Sequence, residues 1–224
     1  MKKAIIKIGL LALSVMLFFP CTPVRAAVIK IGLTGLVDSV NDPYDLLENE
    51  VQSGDSISGY YTYDSLAQDL YPASPYSGGY HFSVAPYGIS LTVGGLTFQT
   101  DPANVDFTIY VEDNYAGEPE DSYRILSITN LPLDDDIQLD TLGWRLVNYS
   151  GTALSSDDLL PLDPDLSKWQ YEYFIISGGT GGIGPGCYDK AFYIYPHLTS
   201  VWLIPEPATL LLFGLGGLIL RKRS

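Results

Sequence analysis

Tyr87-Gly88-Ile89-Ser90-Leu91-Thr92-Val93-Gly94-Gly95-Leu96-Thr97-Phe98-Gln99-Thr100 is written with a period of two. Tyr87, Ile89, Leu91 and Val93 fall on one face, Gly94-Gly95 turns the chain, and Leu96, Phe98 and Thr100 return. Successive side chains of a strand point to opposite faces, so this spacing buries one side of a ribbon and wets the other. A tight hairpin turn of the favoured hand needs positive φ at both central residues, which two glycines supply without steric cost. The stretch predicts an antiparallel hairpin.

The same alternation runs outward in both directions. Ile29, Ile31, Leu33, Gly35 and Val37 form one apolar set, Ile57, Gly59, Tyr61 and Tyr63 a second, and Tyr80, Phe82 and Val84 a third. Val105, Phe107, Ile109 and Val111 follow the hairpin. Further strands are expected over Tyr123–Ile128, Leu142–Tyr149, Trp169–Ile176, Ala191–Tyr195 and Leu198–Ile204. Ser155 is placed to cap one helical turn over 155–160, and no long amphipathic helix is visible. About ten short strands with turn-rich joints predict an all-β chain: an antiparallel β-sandwich or jelly-roll-like domain over residues 27–204. No repeat or internal linker divides that stretch.

The net charge of −14 hides an asymmetry. Lys2, Lys3, Lys7 and Arg25 lie at one end and Arg221, Lys222 and Arg223 at the other, so five of the 12 basic residues remain between them. All 26 acidic residues lie from Asp38 to Glu206, which gives the middle 5 − 26 = −21. Such a surface repels phosphate backbones, so nucleic acid is excluded as a partner. Tyrosine outnumbers phenylalanine 17 to 8, which suits strands whose outer faces are half apolar and half wet. Cys21 lies in a segment expected to be removed, so Cys187 has no partner for an internal disulfide.

Residues 1–26 read as a signal peptide. Lys2 and Lys3 form the basic start, an apolar stretch runs from Ile8 to Phe19, and Val24-Arg25-Ala26 offers small residues for cleavage after Ala26 or, one step on, after Ala27. An uncleaved N-terminal anchor is the alternative. Lipidation at Cys21 is the weaker rival, because Phe18-Phe19-Pro20 lacks the small residue such a site needs.

At the other end, Pro205-Glu206-Pro207 precedes an apolar run of 13 residues from Ala208 to Leu220, and Arg221-Lys222-Arg223 closes it. As a helix that run spans about 20 Å, short of the roughly 30 Å hydrocarbon core. A basic cap stays on the cytoplasmic side, so the acidic domain is expected outside, as the signal peptide also requires. Motif, Gly-rich apolar helix and basic stop together resemble the PEP-CTERM sorting signal of exported bacterial proteins. The resemblance implies processing by an exosortase, a membrane-embedded transpeptidase-like protease, on residues 205–224 with a short membrane helix at 208–220. A plain tail anchor is the alternative. Gly54–Asp64 and Thr152–Pro161 are similar to segments of the same group of secreted proteins, which supports the β-sandwich and adds no activity.

No catalytic constellation is legible. His81 alternates with Tyr80 and Phe82 and is expected to face away from them, while His197 follows Pro196 and reads as loop. No serine sits in a G-x-S-x-G turn, no zinc-ligand spacing occurs, and Gly178–Gly186 lacks the Lys-Ser/Thr ending of a phosphate loop. Acidic stretches at Asp134-Asp135-Asp136, at Asp157-Asp158 with Asp163 and Asp165, and at Glu118, Glu120 and Asp121 invite a structural calcium ion. The other reading is a solvated acidic surface. A secreted hydrolase would need two facing carboxylates, which spacing alone does not give. Tyr60, Tyr171, Tyr173, Tyr193 and Tyr195 are candidates for an aromatic face that stacks on sugars.

The expectation is therefore a non-enzymatic, exosortase-processed surface or extracellular-matrix protein with no cofactor. Its partners would be signal peptidase, the secretion machinery, exosortase, the membrane and extracellular polysaccharide. The alternative is a carbohydrate- or calcium-binding module.

Overall fold

The computed structural model describes residues 28–159, 165–181 and 188–205. Ten strands account for most of them: β1 (Val28–Asn41), β2 (Ser56–Asp64), β3 (Ser77–Phe82), β4 (Gly88–Val93), β5 (Leu96–Gln99), β6 (Phe107–Glu112), β7 (Asp121–Ser127), β8 (Gln138–Asn148), β9 (Tyr171–Thr180) and β10 (Lys190–Leu203). The expected helical turn after Ser155 is a series of bends. The short 3₁₀ turns lie instead at Tyr115–Gly117 and at Leu166–Lys168, the latter capped by the Asp165 carboxylate on Ser167 N.

All pairings are antiparallel, in the order β3-β6-β7-β8-β9-β10-β1-β2-β4-β5. Most neighbours are consecutive, but β3 crosses to the far edge beside β6. One continuous sheet thus curls until its halves face each other. β9 pairs with β10 only from Ile176↔Ile194 to Thr180↔Lys190. Beyond that stretch β9 keeps β8 alone and β10 keeps β1 alone, and the sheet opens into two leaves. Bulges in β10 at Thr199, in β1 at Asp38 and in β8 at Asp140 bend the long strands that serve both leaves.

The core lies between the leaves. Tyr61 of β2 packs against Phe107 of β6 and against Trp144 of β8, and its hydroxyl is 3.3 Å from that of Tyr123 on β7. The alternation sorts the rest: Ile31, Leu33, Ile57, Ile89, Leu91, Phe98, Ile109, Val111, Phe174 and Ile194 are all buried. The far edge is laced shut where β5 meets the chain after β7. Thr100 Oγ1 lies 2.8 Å from Ser127 Oγ, and Leu131 N donates to Gln99 O at 2.9 Å. The hairpin falls where its sequence puts it, with φ of 58° at Gly94 and 89° at Gly95.

Several boundaries differ from expectation. Val84 lies past the end of β3 and is exposed instead of continuing the face of Tyr80 and Phe82. Ile128 and Tyr149 lie past β7 and β8, and Val105 and Trp169 precede β6 and β9. The largest difference is in β10. β10 is a single strand through Pro196 and His197, not two strands with a loop between them. Pro196 lies opposite Val37, whose N–H and C=O both go to the Gly54–Asp55 side. Pro196 therefore faces the side that β9 has left, where a missing N–H breaks no ladder bond.

Candidate functional site

Both ends of the domain lie together. β1 starts at Val28 and β10 ends at Leu203, paired with Ile31, and Ile204 N donates to Lys30 O at 2.8 Å. Pro205 follows at once, so no linker separates the last sheet hydrogen bond from Pro205-Glu206-Pro207. Of the residues singled out at the two ends, Pro205 alone is described. Ala26, Ala27, Glu206, Pro207, Arg221, Lys222 and Arg223 lie outside the described residues, as do the apolar run 208–220 and Cys187. Among the described residues no helix is long and apolar enough to cross a membrane.

The tyrosines divide. Tyr173 and Tyr195 have ring centroids 6.4 Å apart, Tyr193 stacks on Tyr195 at 6.4 Å, and exposed Tyr171 stands on the same strand as Tyr173. These form one outer face of β9 and β10. Tyr60 stands apart on β2, with the Lys30 ammonium 3.5 Å above its ring. Burial, with neighbouring Tyr195 and Tyr171, holds the Tyr173 hydroxyl above its usual pKa.

The acidic stretches serve the loops. Asp121 is fully buried and accepts from Asn114 N at 3.1 Å, Ala153 N at 2.8 Å and Leu154 N at 2.9 Å. Asp134 accepts from Asp136 N and Ile137 N, and Glu120 pairs with Arg145 at 3.0 Å. Beside Asp121, Asp113 is held above the ordinary carboxylate range by burial and by the neighbouring charge. Among the described residues no three histidine, cysteine or acidic side chains are grouped to hold a metal ion. Asp163 lies outside the described residues.

Each histidine meets a carboxylate. His81 is exposed, as its alternation predicts, with Nε2 3.2 Å from Asp106 Oδ1. His197 Nδ1 lies 2.7 Å from Asp38 Oδ1 across β1. Near that pair Glu172 reaches from β9 into the gap between the leaves and accepts from Leu198 N at 2.6 Å. Burial raises its pKa to about 7, against the lowering effects of that hydrogen bond and of His197.

The sequence offered no sign of a groove on the outer face of β7, β8 and β9. It measures about 360 Å³ and runs over Gly143, with Arg124, Arg145 and Tyr173 along its side. Which residues meet across strands depends on register between distant segments, and spacing along the chain does not carry it. The scarcity of basic residues in the middle was the one usable hint.

A family model of the PEP-CTERM protein-sorting motif matches residues 203–224. No curated protein and no solved structure matches the chain. The chain thus carries a PEP-CTERM sorting signal, which marks an exported protein targeted to exosortase. The match begins at Leu203, the last residue of β10, so the signal starts where the sheet stops.

Proposed function

We propose that this is a non-enzymatic surface or extracellular-matrix protein. Signal peptidase removes residues 1–26, and the secretion machinery delivers the β domain, residues 27–204, across the inner membrane. The tail 205–224 holds it there transiently through 208–220, until exosortase cuts at Pro205-Glu206-Pro207. The basic residues Arg221, Lys222 and Arg223 stop the tail at the cytoplasmic side. The observation that carries this reading is the sorting-motif match joined directly to the last strand. The non-enzymatic part draws support from the two histidines, which stand on separate strands, β3 and β10, with 41% and 42% of their side chains exposed. Fractionation of the host tests the reading. With Pro205, Glu206 and Pro207 all replaced by alanine, the protein stays in the membrane fraction while the wild type leaves it. Equal distribution of the two forms contradicts it.

A second reading is favoured by one observation, the outer-face cluster of Tyr173, Tyr193 and Tyr195. Tyr173 is exposed and Tyr193 and Tyr195 are partly so, and aromatic rings presented on a sheet face stack on the apolar faces of sugars. On this reading the displayed domain binds polysaccharide outside the cell.

A further inference from the structure

The outer face of the leaf built from β6, β7, β8 and β9 carries one row that folding alone does not favour. In register across the four strands stand Tyr110, Arg124, Arg145 and Tyr173. The two arginines are direct cross-strand partners, and like charges so placed repel. They are two of five basic residues in a stretch with a net charge of −21. Arg145 is offset by Glu120 at 3.0 Å and Glu112 at 3.6 Å. Arg124 is exposed, and among the described residues no carboxylate lies within ion-pair distance of it. Its guanidinium stands 5.8 Å from the Tyr110 ring centroid.

The next row gives the groove its floor. Leu126, Gly143 and Ile175 are cross-strand partners, and the floor dips where Gly143 has no side chain. A Cβ there would press on Ile125 O at 2.5 Å, so the dip is fixed by the close approach of β7. The volume of about 360 Å³ is within the range of about 300–1,000 Å³ typical of small-ligand clefts. An apolar floor, a tyrosine wall that continues to Tyr195, and one planar cation paired with no carboxylate among the described residues meet in one place.

We infer that this groove binds an acidic sugar, with the ring laid on Ile175 and Tyr173 and the carboxylate held by the guanidinium fork of Arg124. The acidic surface around it repels densely charged polymers, while a single carboxylate close to Arg124 is shielded from the rest beyond about 8 Å at physiological salt. The ligand class is therefore a glycan whose acidic units alternate with neutral ones. This inference rests on the sugar-binding reading and is independent of the sorting reading.

The test is calorimetric titration of the protein purified from its host. The probes are a hyaluronan hexasaccharide, with alternating glucuronates, a chitin hexasaccharide as the neutral equivalent, and hexaglutamate as an acidic ligand without sugar. Saturable binding of the hyaluronan probe is expected, at least tenfold tighter than the other two. Arg124→Ala and Tyr173→Ala should each weaken it tenfold or more, and Arg124→Lys should fall between, with thermal melts showing all variants folded. Equal binding of the chitin probe, unmoved by Arg124→Ala, overturns the acidic-sugar inference and leaves the sugar reading standing. Absence of binding to either sugar overturns both. Equal binding of hexaglutamate shows a mere anion site and also overturns the inference. So does concentration-dependent dimerisation abolished by Arg124→Ala, which would make the groove a contact between two copies.

Discussion

Glu172 stands where β9 and β10 part. Pro196 removes one donor from the vacated side of β10, and the Glu172 carboxyl takes the next, Leu198 N. Burial raises the carboxyl to about 7 from 4.5. The folded state therefore holds its proton more tightly than the unfolded state. The stability it lends is complete below pH 4.5, declines as pH rises towards 7, and is gone above. His197 and Asp38 face the same carboxyl with opposite effects, so neither cancels the direction. Glu172→Gln keeps the acceptor for Leu198 N and cannot ionise. Its Tm should match wild type at pH 4.5 and exceed it at pH 8, read by thermal melts across that range. A second residue, Asp121, ties two loops to the end of β7 through three backbone amides. Asp121→Asn turns an NH₂ towards at least one of those donors and leaves it buried without an acceptor. Urea unfolding should show a loss of about 2–4 kcal/mol.

The β4–β5 hairpin separates two demands on glycine. Gly94 and Gly95 both have positive φ, and a side chain at Gly95 meets open space. At Gly94 a Cβ collides with the carbonyl oxygen of Glu50, which belongs to the loop between β1 and β2. Gly95→Ala should cost about 1–2 kcal/mol, the price of the left-handed conformation alone. Gly94→Ala adds displacement of a neighbouring backbone and should cost more, by at least 1 kcal/mol on the scale of overpacked sites. Equal losses on urea unfolding would show that the collision relaxes freely. This hairpin, and the burial of Ile31, Ile57, Phe107 and their neighbours, could be read from the chain because turn chemistry and alternation are local. The continuity of β10 through Pro196 could not, because it depends on where β9 diverges. The groove beside Arg124 was hidden for the same reason: it is a product of register among β7, β8 and β9. The Tyr173–Tyr195 face was half visible, as a set of tyrosines whose common neighbourhood only the sheet reveals.

At the scale of the molecule, entry and exit lie side by side on β1 and β10. A domain held at one end presents its remaining surface outward while it is attached. It also loses no sheet hydrogen bond when the tail is cut beyond Ile204, the last residue tied to β1. The sorting signal and the fold thus meet at a boundary of one residue, Leu203, which closes the strand and opens the match. The central claim is that this tail is a signal to be removed. Intact-mass measurement on the protein isolated from its host tests it most directly. The account predicts a mature form that begins at Ala27 or Val28 and lacks the apolar run and the basic stop. A wild-type protein that keeps Arg221 to Ser224 and stays in the membrane would contradict it and make the tail a permanent anchor.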